Sequence, residues 1–358
     1  MTSDLSLEDL DYPFDAAHIA TRPAEPRDAA RMMVVERSGD RVHHARVQDL
    51  PTWLQSGDAL VVNRTRVRAA RLMLRRDGDG RAFEGLLAEP LDHGDWLLLV
   101  RGGRRLHPGD HLLVVDPQGQ AVTALACVEK TREGWRTRFP AGVDVDAALE
   151  RAGHVPLPPY IVKARGDHAE SEAFDRDRYQ TVYAEDRRMH SVAAPTAGLH
   201  FTTRLLERLQ EMGVERASVT LEVGMGTFKP VESPTLSGHA MHRERCEVPT
   251  ATLERLRMRR AGAPGRLVAV GTTTVRSLES LPEPLPESTW IAESSLLIQP
   301  GHAFRHVDVL MTNFHLPRST LLALVGAFVG LDRLKRLYAL AQAQGYRFFS
   351  YGDCMLIL

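Results

Sequence analysis

Cysteine is scarce in this chain, and its three copies, Cys127, Cys246 and Cys354, are far apart. They offer neither the closely spaced pairs of a zinc site nor the cysteine density of a disulfide framework. Isolated thiols of this kind are typical of a reducing compartment. We therefore expect a cytoplasmic protein that contains no metal site.

Long apolar runs are also missing. No stretch is long enough to cross a bilayer, and the acidic residues 1–11 lack the apolar core of a signal peptide. The 358 residues are 43% hydrophobic and 25% charged, which is typical of a soluble globular protein with room for two domains. We expect no membrane partner.

Neither sign of charge dominates. The chain has 45 Lys and Arg against 46 Asp and Glu, so a nucleic-acid partner would need a local basic face. An arginine-rich run begins with Arg64, Arg66 and Arg68 and continues to Arg76. It could be a phosphate-binding track or only the solvated edge of a strand.

The patterns that are present predict two structural units. Between Val67 and Phe139, short apolar runs alternate with turn signals, which predicts a small β-barrel. The segment before the barrel and the chain after it alternate strand-like and helical patterns, ending in a helix at 331–344 and a strand at 346–350. We predict an α/β fold, with a discontinuous α/β domain of residues 1–63 and 156–358 and an inserted small β-barrel domain of residues 64–155.

Two segments have the small, polar composition of a ligand-binding turn. The run Ser191–Phe201 is rich in small residues, which allow close backbone approach to a ligand. The Gly271–Thr274 turn offers N–H groups and hydroxyls that suit a carboxylate or phosphate. The Gly-x-Gly-x-x-Gly and Gly-Lys-Ser/Thr fingerprints of nucleotide-binding loops are absent. Each turn could instead be a purely structural one that caps a helix.

A third segment lies where a buried strand passes into a helix. Asn313, Phe314 and His315 come directly before a helix that Ser319 or Thr320 can cap. Because α/β folds bind ligands at such junctions, these side chains are candidate site residues.

Two further segments carry residues suited to chemistry. His242 and Glu244, which follow the Gly224–Phe228 run, would share one face of a strand and could serve one acid–base task. They give only a weak metal-site signal, because no third ligand follows at helical spacing. Tyr179 could stack on a base or pack in the core.

Taken together, these segments resemble the S-adenosylmethionine:tRNA ribosyltransferase-isomerase family of the queuosine pathway. The resemblance spans the whole chain, in order. The matching runs are Arg178–Ala184, Ser191–Phe201, Gly224–Phe228, Gly271–Ser280, Thr312–Leu322 and Tyr346–Asp353, together with Pro26–Asp28 and Asn63–Leu72.

The resemblance implies a reaction in which S-adenosylmethionine gives its ribosyl group rather than its methyl group. The group is transferred to, and isomerised on, 7-aminomethyl-7-deazaguanine at the tRNA wobble position. The product is epoxyqueuosine, with release of adenine and methionine. The implied co-substrate is S-adenosylmethionine and the implied partner is tRNA; we expect a monomer.

Such a reaction needs a base near the ribose 5′ carbon, an acid for the departing adenine and donors for the ribose hydroxyls. Arg276 and the Thr272–Thr274 turn could hold the methionine carboxylate. The residues then expected to be catalytic are His200, His242, Glu244 and His315, with base and acid unassigned. Those expected to bind S-adenosylmethionine are Ser191, Pro195, Thr196, Gly224, Thr272, Thr273, Arg276, Asn313 and Phe314. Those expected to bind RNA are Arg64, Arg66, Arg68 and Tyr179.

Some positions depart from the usual family pattern, and they leave two alternatives open. One is a paralogue that transfers the ribosyl group to a small deazapurine acceptor. The other is a non-catalytic RNA-binding protein, against which the intact set of candidate catalytic residues argues. The departing residues are Arg64, His190, Glu222, Met225, Arg245, Cys246 and His302.

Overall fold

The computed structural model describes residues 5–168, 170–185, 189–224, 233–239 and 241–358, with the backbone alone for 189 and 190. Its strands form a nine-stranded mixed sheet, a closed barrel and a small two-stranded sheet. The predicted fold class, an α/β fold with a small β-barrel, is confirmed. The division into domains at residues 63/64 and 155/156 stays a prediction.

The nine-stranded sheet contains strands from both ends of the chain. Its order, with strands numbered along the chain, is β16 (Trp290–Ser294), β14 (Glu244–Val248), β13 (Glu215–Leu221), β3 (Ala59–Asn63), β15 (Leu267–Val270), β17 (Val309–Asn313), β18 (Cys354–Ile357), β1 (Arg31–Val35) and β2 (Val42–Arg46). The central strands β13, β3, β15 and β17 are parallel, and β18 runs antiparallel to β17.

Both faces of the centre of this sheet are buried, which explains why β15 is apolar throughout. Along β15, Leu267 and Ala269 pack on one face while Val268 and Val270 pack on the other. On the Leu267 face pack α5 (Thr250–Arg260), α6 (Thr272–Glu279), α7 (Thr320–Val329) and α8 (Leu331–Ala343). On the opposite face packs α4 (Thr203–Glu211), through Leu205 and Leu209.

The barrel is antiparallel and closes on itself. Its strands, in order around the barrel, are β5 (Arg71–Arg76), β6 (Ala82–Pro90), β7 (Asp95–Val100), β10 (Trp135–Arg138), β9 (Ala121–Lys130) and β8 (His111–Val115), which pairs back with β5. Inward residues such as Leu72 and Leu74 alternate with outward ones, as small barrels require.

The remaining elements are short. They are β4 (Arg66–Val67), α1 (Val145–Ala152), β11 (Gly153–His154), α2 (Pro159–Arg165), α3 (Glu172–Arg178) and β12 (Met189–Ser191), with 3-10 helices at Ala16–His18, Arg27–Ala29, Val47–Thr52, Asp92–Gly94, Gly103–Arg105 and Thr196–His200. A bidentate ion pair of buried Arg165 and Asp175 joins α2 to α3, with N–O distances of 2.9 and 2.8 Å. No helix in the described part of the chain is long and apolar enough to span a bilayer.

The predicted strand at 346–350 is wrong. Phe348 makes only an isolated bridge with Ile19, and the strand that ends the chain is β18 instead. The aromatic residues of this run pack as a cluster around Phe314 rather than extending along a neighbouring strand. The cap predicted for α7 is confirmed, because the Ser319 hydroxyl accepts a hydrogen bond from the Leu322 N–H.

Candidate active site

The carboxyl ends of β3, β13, β15 and β17 meet at one edge of the large sheet, because these strands are parallel. The 3-10 helix Thr196–His200 packs on β17 at this edge, and α6 begins there with the Gly271 N–H bonded to the Met311 carbonyl at 2.8 Å. Ligands of open α/β sheets bind outside such an edge. Predicted site residues from distant segments therefore meet in one region.

Asn313 lies at the centre of the first cluster. Its Oδ1 accepts a hydrogen bond from the Thr196 hydroxyl at 3.0 Å. Its Nδ2 donates to the Phe349 carbonyl at 3.0 Å and lies 3.2 Å from Nε2 of His200. Phe349 has φ +69°, a left-handed conformation that is strained for a bulky residue. Burial, together with the charge of Arg347, lowers the pKa of His200 to about 3, so the ring is neutral at physiological pH.

The second cluster is a buried ion pair. Glu244 is 5% exposed and Arg276 is 7% exposed. Glu244 Oε2 accepts from Nη1 of Arg276, and its Oε1 accepts from the Gly224 N–H at 3.2 Å. Arg276 Nε donates to the Leu296 carbonyl at 3.3 Å, while its buried Nη2 has no partner among the described residues. A buried donor without an acceptor destabilises the folded protein unless a ligand accepts its hydrogen bond.

The first turn of α6 lies at the same edge. Gly271 precedes the helix with φ +86°, a conformation open to glycine, and no side chain caps the helix N-terminus. Thr272 is buried, and the buried hydroxyl oxygen of Thr273 has no hydrogen-bond partner in the described ranges. As far as the described residues go, this hydroxyl and the backbone N–H groups of the first turn are thus available to donate to an anionic group.

The other two histidines are placed differently. His315 is half-buried, and its Nε2 lies 2.8 Å from the Thr312 hydroxyl. Burial lowers the pKa of His315 to about 4. Because Thr312 and Asn313 are consecutive in β17, their side chains lie on opposite faces, so His315 and His200 contact opposite faces of the sheet. His242 is half-buried just before β14, beside Glu244 in sequence.

A family model described as a queuosine biosynthesis protein matches residues 7–357. This chain belongs to the queuosine biosynthesis family. It is 46% identical to the S-adenosylmethionine:tRNA ribosyltransferase-isomerase of Gloeobacter violaceus, over 99% of this chain and 96% of that protein. The enzyme of the same name from Thermus thermophilus is 48% identical, over 98% and 99%.

A solved structure is similar as well. It is the S-adenosylmethionine tRNA ribosyltransferase of Thermotoga maritima, with a TM-score of 0.54 and 35% identity, covering 98% of this chain and 100% of that one. The predicted family, enzyme class and ribosyltransferase-isomerase function are thereby confirmed.

Some residues that the family resemblance implied as ligands are covered in this structure. Ser191 is fully buried; its hydroxyl accepts from the Val223 N–H at 2.9 Å and pairs with the Thr65 hydroxyl at 2.7 Å. Pro195 is buried, and Phe314 is 0% exposed within an aromatic cluster. In these positions Ser191 and Phe314 support the carboxyl edge through contacts within the protein. Neither presents a polar atom or a ring to a ligand.

Gly198 explains how two family motifs fit together. A Cβ at this position would lie 2.0 Å from the Tyr183 hydroxyl and 2.8 Å from the Thr181 methyl. Glycine is therefore required where the Arg178–Ala184 segment packs on the 3-10 helix that carries His200. This contact joins the Arg178–Ala184 segment to the first cluster.

The predicted RNA-binding residues are mostly engaged within the protein. Arg64 pairs with Glu185 at 2.9 Å and with Glu247 at 3.1 Å, and Arg68 pairs with Asp146 at 2.9 Å. Tyr179 is 1% exposed with its ring edge-on to Tyr351, so the ring is not displayed for stacking on a base. These four residues stay predictions. A cavity of about 310 Å³ at the barrel junction is lined by Arg66, Arg68, Asp146, Tyr179 and Gln180, among others.

An exposed basic loop on the barrel was not predicted from the sequence. Arg101, Arg104 and Arg105 are all exposed, and none pairs with a carboxylate within the described part of the chain. Trp135 Nε1 donates to the Gly103 carbonyl at 3.0 Å. Nη1 of Arg76, on β5, donates to the Arg105 carbonyl at 3.0 Å. The loop is thus anchored at two points. The run Arg101–Arg105 is visible in the sequence, where its two glycines belong to the turn signals of the barrel.

Several departures from the usual family pattern are paired with each other or with neighbours. Glu222 accepts from Arg245 at 3.2 Å, beside the Arg64–Glu247 pair, and His302 lies 3.5 Å from Glu279. Cys246 is 0% exposed in the core. Met225 and the side chain of His190 lie outside the described residues, as do positions 225–228 of the glycine-bearing run. In the described ranges, no three His, Cys, Asp or Glu side chains are grouped as a metal site.

Proposed function

We propose that this chain transfers and isomerises the ribosyl group of S-adenosylmethionine onto 7-aminomethyl-7-deazaguanine at the tRNA wobble position, giving epoxyqueuosine with release of adenine and methionine. One observation carries the proposal at the level of the site. Segments that match the family and are far apart in sequence meet at the carboxyl edge of the parallel strands. Sites of α/β enzymes lie at such edges.

The charged groups suggest how S-adenosylmethionine is held. Two donors on α6, Nη2 of Arg276 and the hydroxyl of Thr273, have no hydrogen-bond partner among the described residues. Together with the N–H groups of the first turn, they suit the methionine carboxylate, since a guanidinium–carboxylate bond is stronger than a neutral one. Glu244 holds the guanidinium in place through Nη1. In this arrangement Glu244 orients the Arg276 guanidinium and does not serve as a free acid or base.

The candidates for the base near the ribose 5′ carbon are the three histidines of the site, His200, His242 and His315. Because Nε2 of His200 faces the Asn313 amide, His242 and His315 are the stronger acid–base candidates. Burial keeps His315 neutral, which is the form a base requires.

The first expected result is the product itself. Incubation with S-adenosylmethionine and tRNA that carries 7-aminomethyl-7-deazaguanine should give epoxyqueuosine in the digested tRNA by mass spectrometry. Adenine and methionine should appear only when the acceptor tRNA is present. Methylated RNA with S-adenosylhomocysteine would contradict the proposal. A parallel incubation with the free base or nucleoside tests the small-acceptor alternative.

The tRNA partner is expected to bind through a local basic surface, since the net charge is −1. Besides Arg66, the exposed loop with Arg101, Arg104 and Arg105 fits this role, because its arginines have no carboxylate partners among described residues and its backbone is anchored. We propose a cytoplasmic monomer that meets the tRNA phosphates on this barrel surface.

Binding of tRNA should therefore weaken steeply as salt rises, and the loop should account for part of the slope. The double substitution Arg104→Gln with Arg105→Gln should reduce the slope of log affinity against log salt by roughly 2, about 1 for each lost phosphate contact. The matched control removes the exposed Arg208 of α4 and Arg336 of α8 and should leave the slope unchanged. Equal slopes in all three proteins would remove the loop from the interface.

A further inference from the structure

The amide of Asn313 can adopt only one orientation. Its Nδ2 lies 3.0 Å from the Phe349 carbonyl oxygen, which accepts hydrogen bonds but cannot donate them. Turning the amide by 180° would place two carbonyl-type oxygens against each other. It would also break the bond in which Oδ1 accepts from the Thr196 hydroxyl at 3.0 Å. The N–H groups of Asn313 therefore face Phe349 and His200.

This orientation determines which ring nitrogen of His200 carries the proton. Nε2 lies 3.2 Å from Nδ2 of Asn313, a donor, so Nε2 must be the acceptor. In a neutral imidazole the other nitrogen, Nδ1, then carries the hydrogen. A protonated ring would place two donors face to face. The ring is 4% exposed, and its lowered pKa agrees with the neutral form.

We propose that Asn313 is a positioning residue that holds His200 in the Nδ1–H tautomer, so that His200 serves the reaction as a hydrogen-bond donor and not as its base. The basic lone pair on Nε2 is occupied, whereas no hydrogen bond joins Nδ1 to another of the described residues. The donor faces an acceptor oxygen or nitrogen of the bound substrate. The donor role of His200 in the reaction rests on the proposed function, whereas its tautomer does not.

The strained backbone of Phe349 belongs to the same hydrogen-bond network. Its carbonyl accepts from Asn313 Nδ2 and also from the Gly352 N–H at 2.9 Å, so it is held by two donors. The conformation with φ +69° directs this carbonyl at Asn313. Thr196, Asn313 and Phe349 thus determine one orientation for the amide and one tautomer for the histidine.

The tautomer can be measured directly in the ligand-free protein. With ¹⁵N-labelled histidine, long-range ¹H–¹⁵N correlation spectra at neutral pH separate a protonated from an unprotonated ring nitrogen. The His200→Asn variant identifies which signals are lost. We expect protonated Nδ1 and unprotonated Nε2 for His200 in the wild type, and an Nε2–H form in Asn313→Asp, whose carboxylate can only accept. An Nε2–H or doubly protonated ring in the wild type would overturn the proposal.

Turnover gives a second readout that does not need Asn313→Asp to fold. Asparagine places an amide N–H near the position of Nδ1, so His200→Asn should keep turnover within about tenfold of wild type, while His200→Leu should lose roughly 10²–10³-fold, the worth of one preorganised donor. Equal losses in both folded variants would indicate a proton-transfer role and overturn the proposal. The absence of any epoxyqueuosine from the wild type would contradict the proposed function but leave the spectroscopic test intact.

Discussion

Replacing His315 or His242 with alanine should lower turnover roughly 10²–10⁴-fold for each histidine that transfers a proton in the rate-limiting step, the usual worth of general acid–base help. His315 bonds to Thr312 and His242 adjoins Glu244, both near the carboxyl ends of the parallel strands. His200 is expected to respond differently, because its acceptor nitrogen is already occupied.

The melting temperature of each variant distinguishes a loss of catalysis from a loss of structure. A half-buried histidine fills little core volume, so its removal should cost far less than a large core truncation. The matched control is His43→Ala, since His43 is also half-buried and its Nε2 lies 3.3 Å from Glu36, but it lies on the edge strand β2. The control should keep wild-type turnover with a similar change in melting temperature. If both site variants stay folded with turnover within a few-fold of wild type, neither histidine is the acid or base.

Much of the fold was predictable because its signals are local. The turn signals of the barrel and the apolar runs of β3 and β17 each reflect burial of one element, and Ser319 capped its helix as expected. The strand predicted at 346–350 failed because an aromatic run satisfies a strand pattern and a core cluster equally well. Only packing around Phe314, which lies 32 residues away from the start of that run, decides between them.

The candidate site was less predictable, because its contacts join distant segments. No spacing rule indicates that Glu244 would pair with Arg276, or that Asn313 would orient His200. A sequence shows which side chains can ionise, but hydrogen-bond partners decide which of them are free. For the same reason Arg64 and Tyr179 were expected on an RNA surface, whereas carboxylates and a neighbouring ring engage them within the protein.

Replacing Arg276 with lysine should weaken S-adenosylmethionine binding by about 1.5–3 kcal/mol, the value of a hydrogen bond to a charged group. That loss corresponds to roughly a tenfold to 150-fold increase in Kd. Lysine keeps a positive charge beside Glu244 but cannot reproduce the fork in which Nη1 binds Glu244 while Nη2 remains available. Alanine is a poorer test, because an unpaired buried Glu244 would destabilise the fold by about 3–5 kcal/mol.

Arg165→Lys is the matched control for this experiment. Arg165 is 7% exposed, like Arg276, and its partner Asp175 is 6% exposed, but this pair joins α2 to α3, two helices that carry none of the predicted site residues. Both lysine variants should lose stability in denaturant unfolding, since each loses a guanidinium fork. Only Arg276→Lys should lose affinity for S-adenosylmethionine when calorimetry is run under conditions where all three proteins are folded. An unchanged Kd for Arg276→Lys would assign the guanidinium a purely structural role and move the methionine carboxylate to another part of the edge.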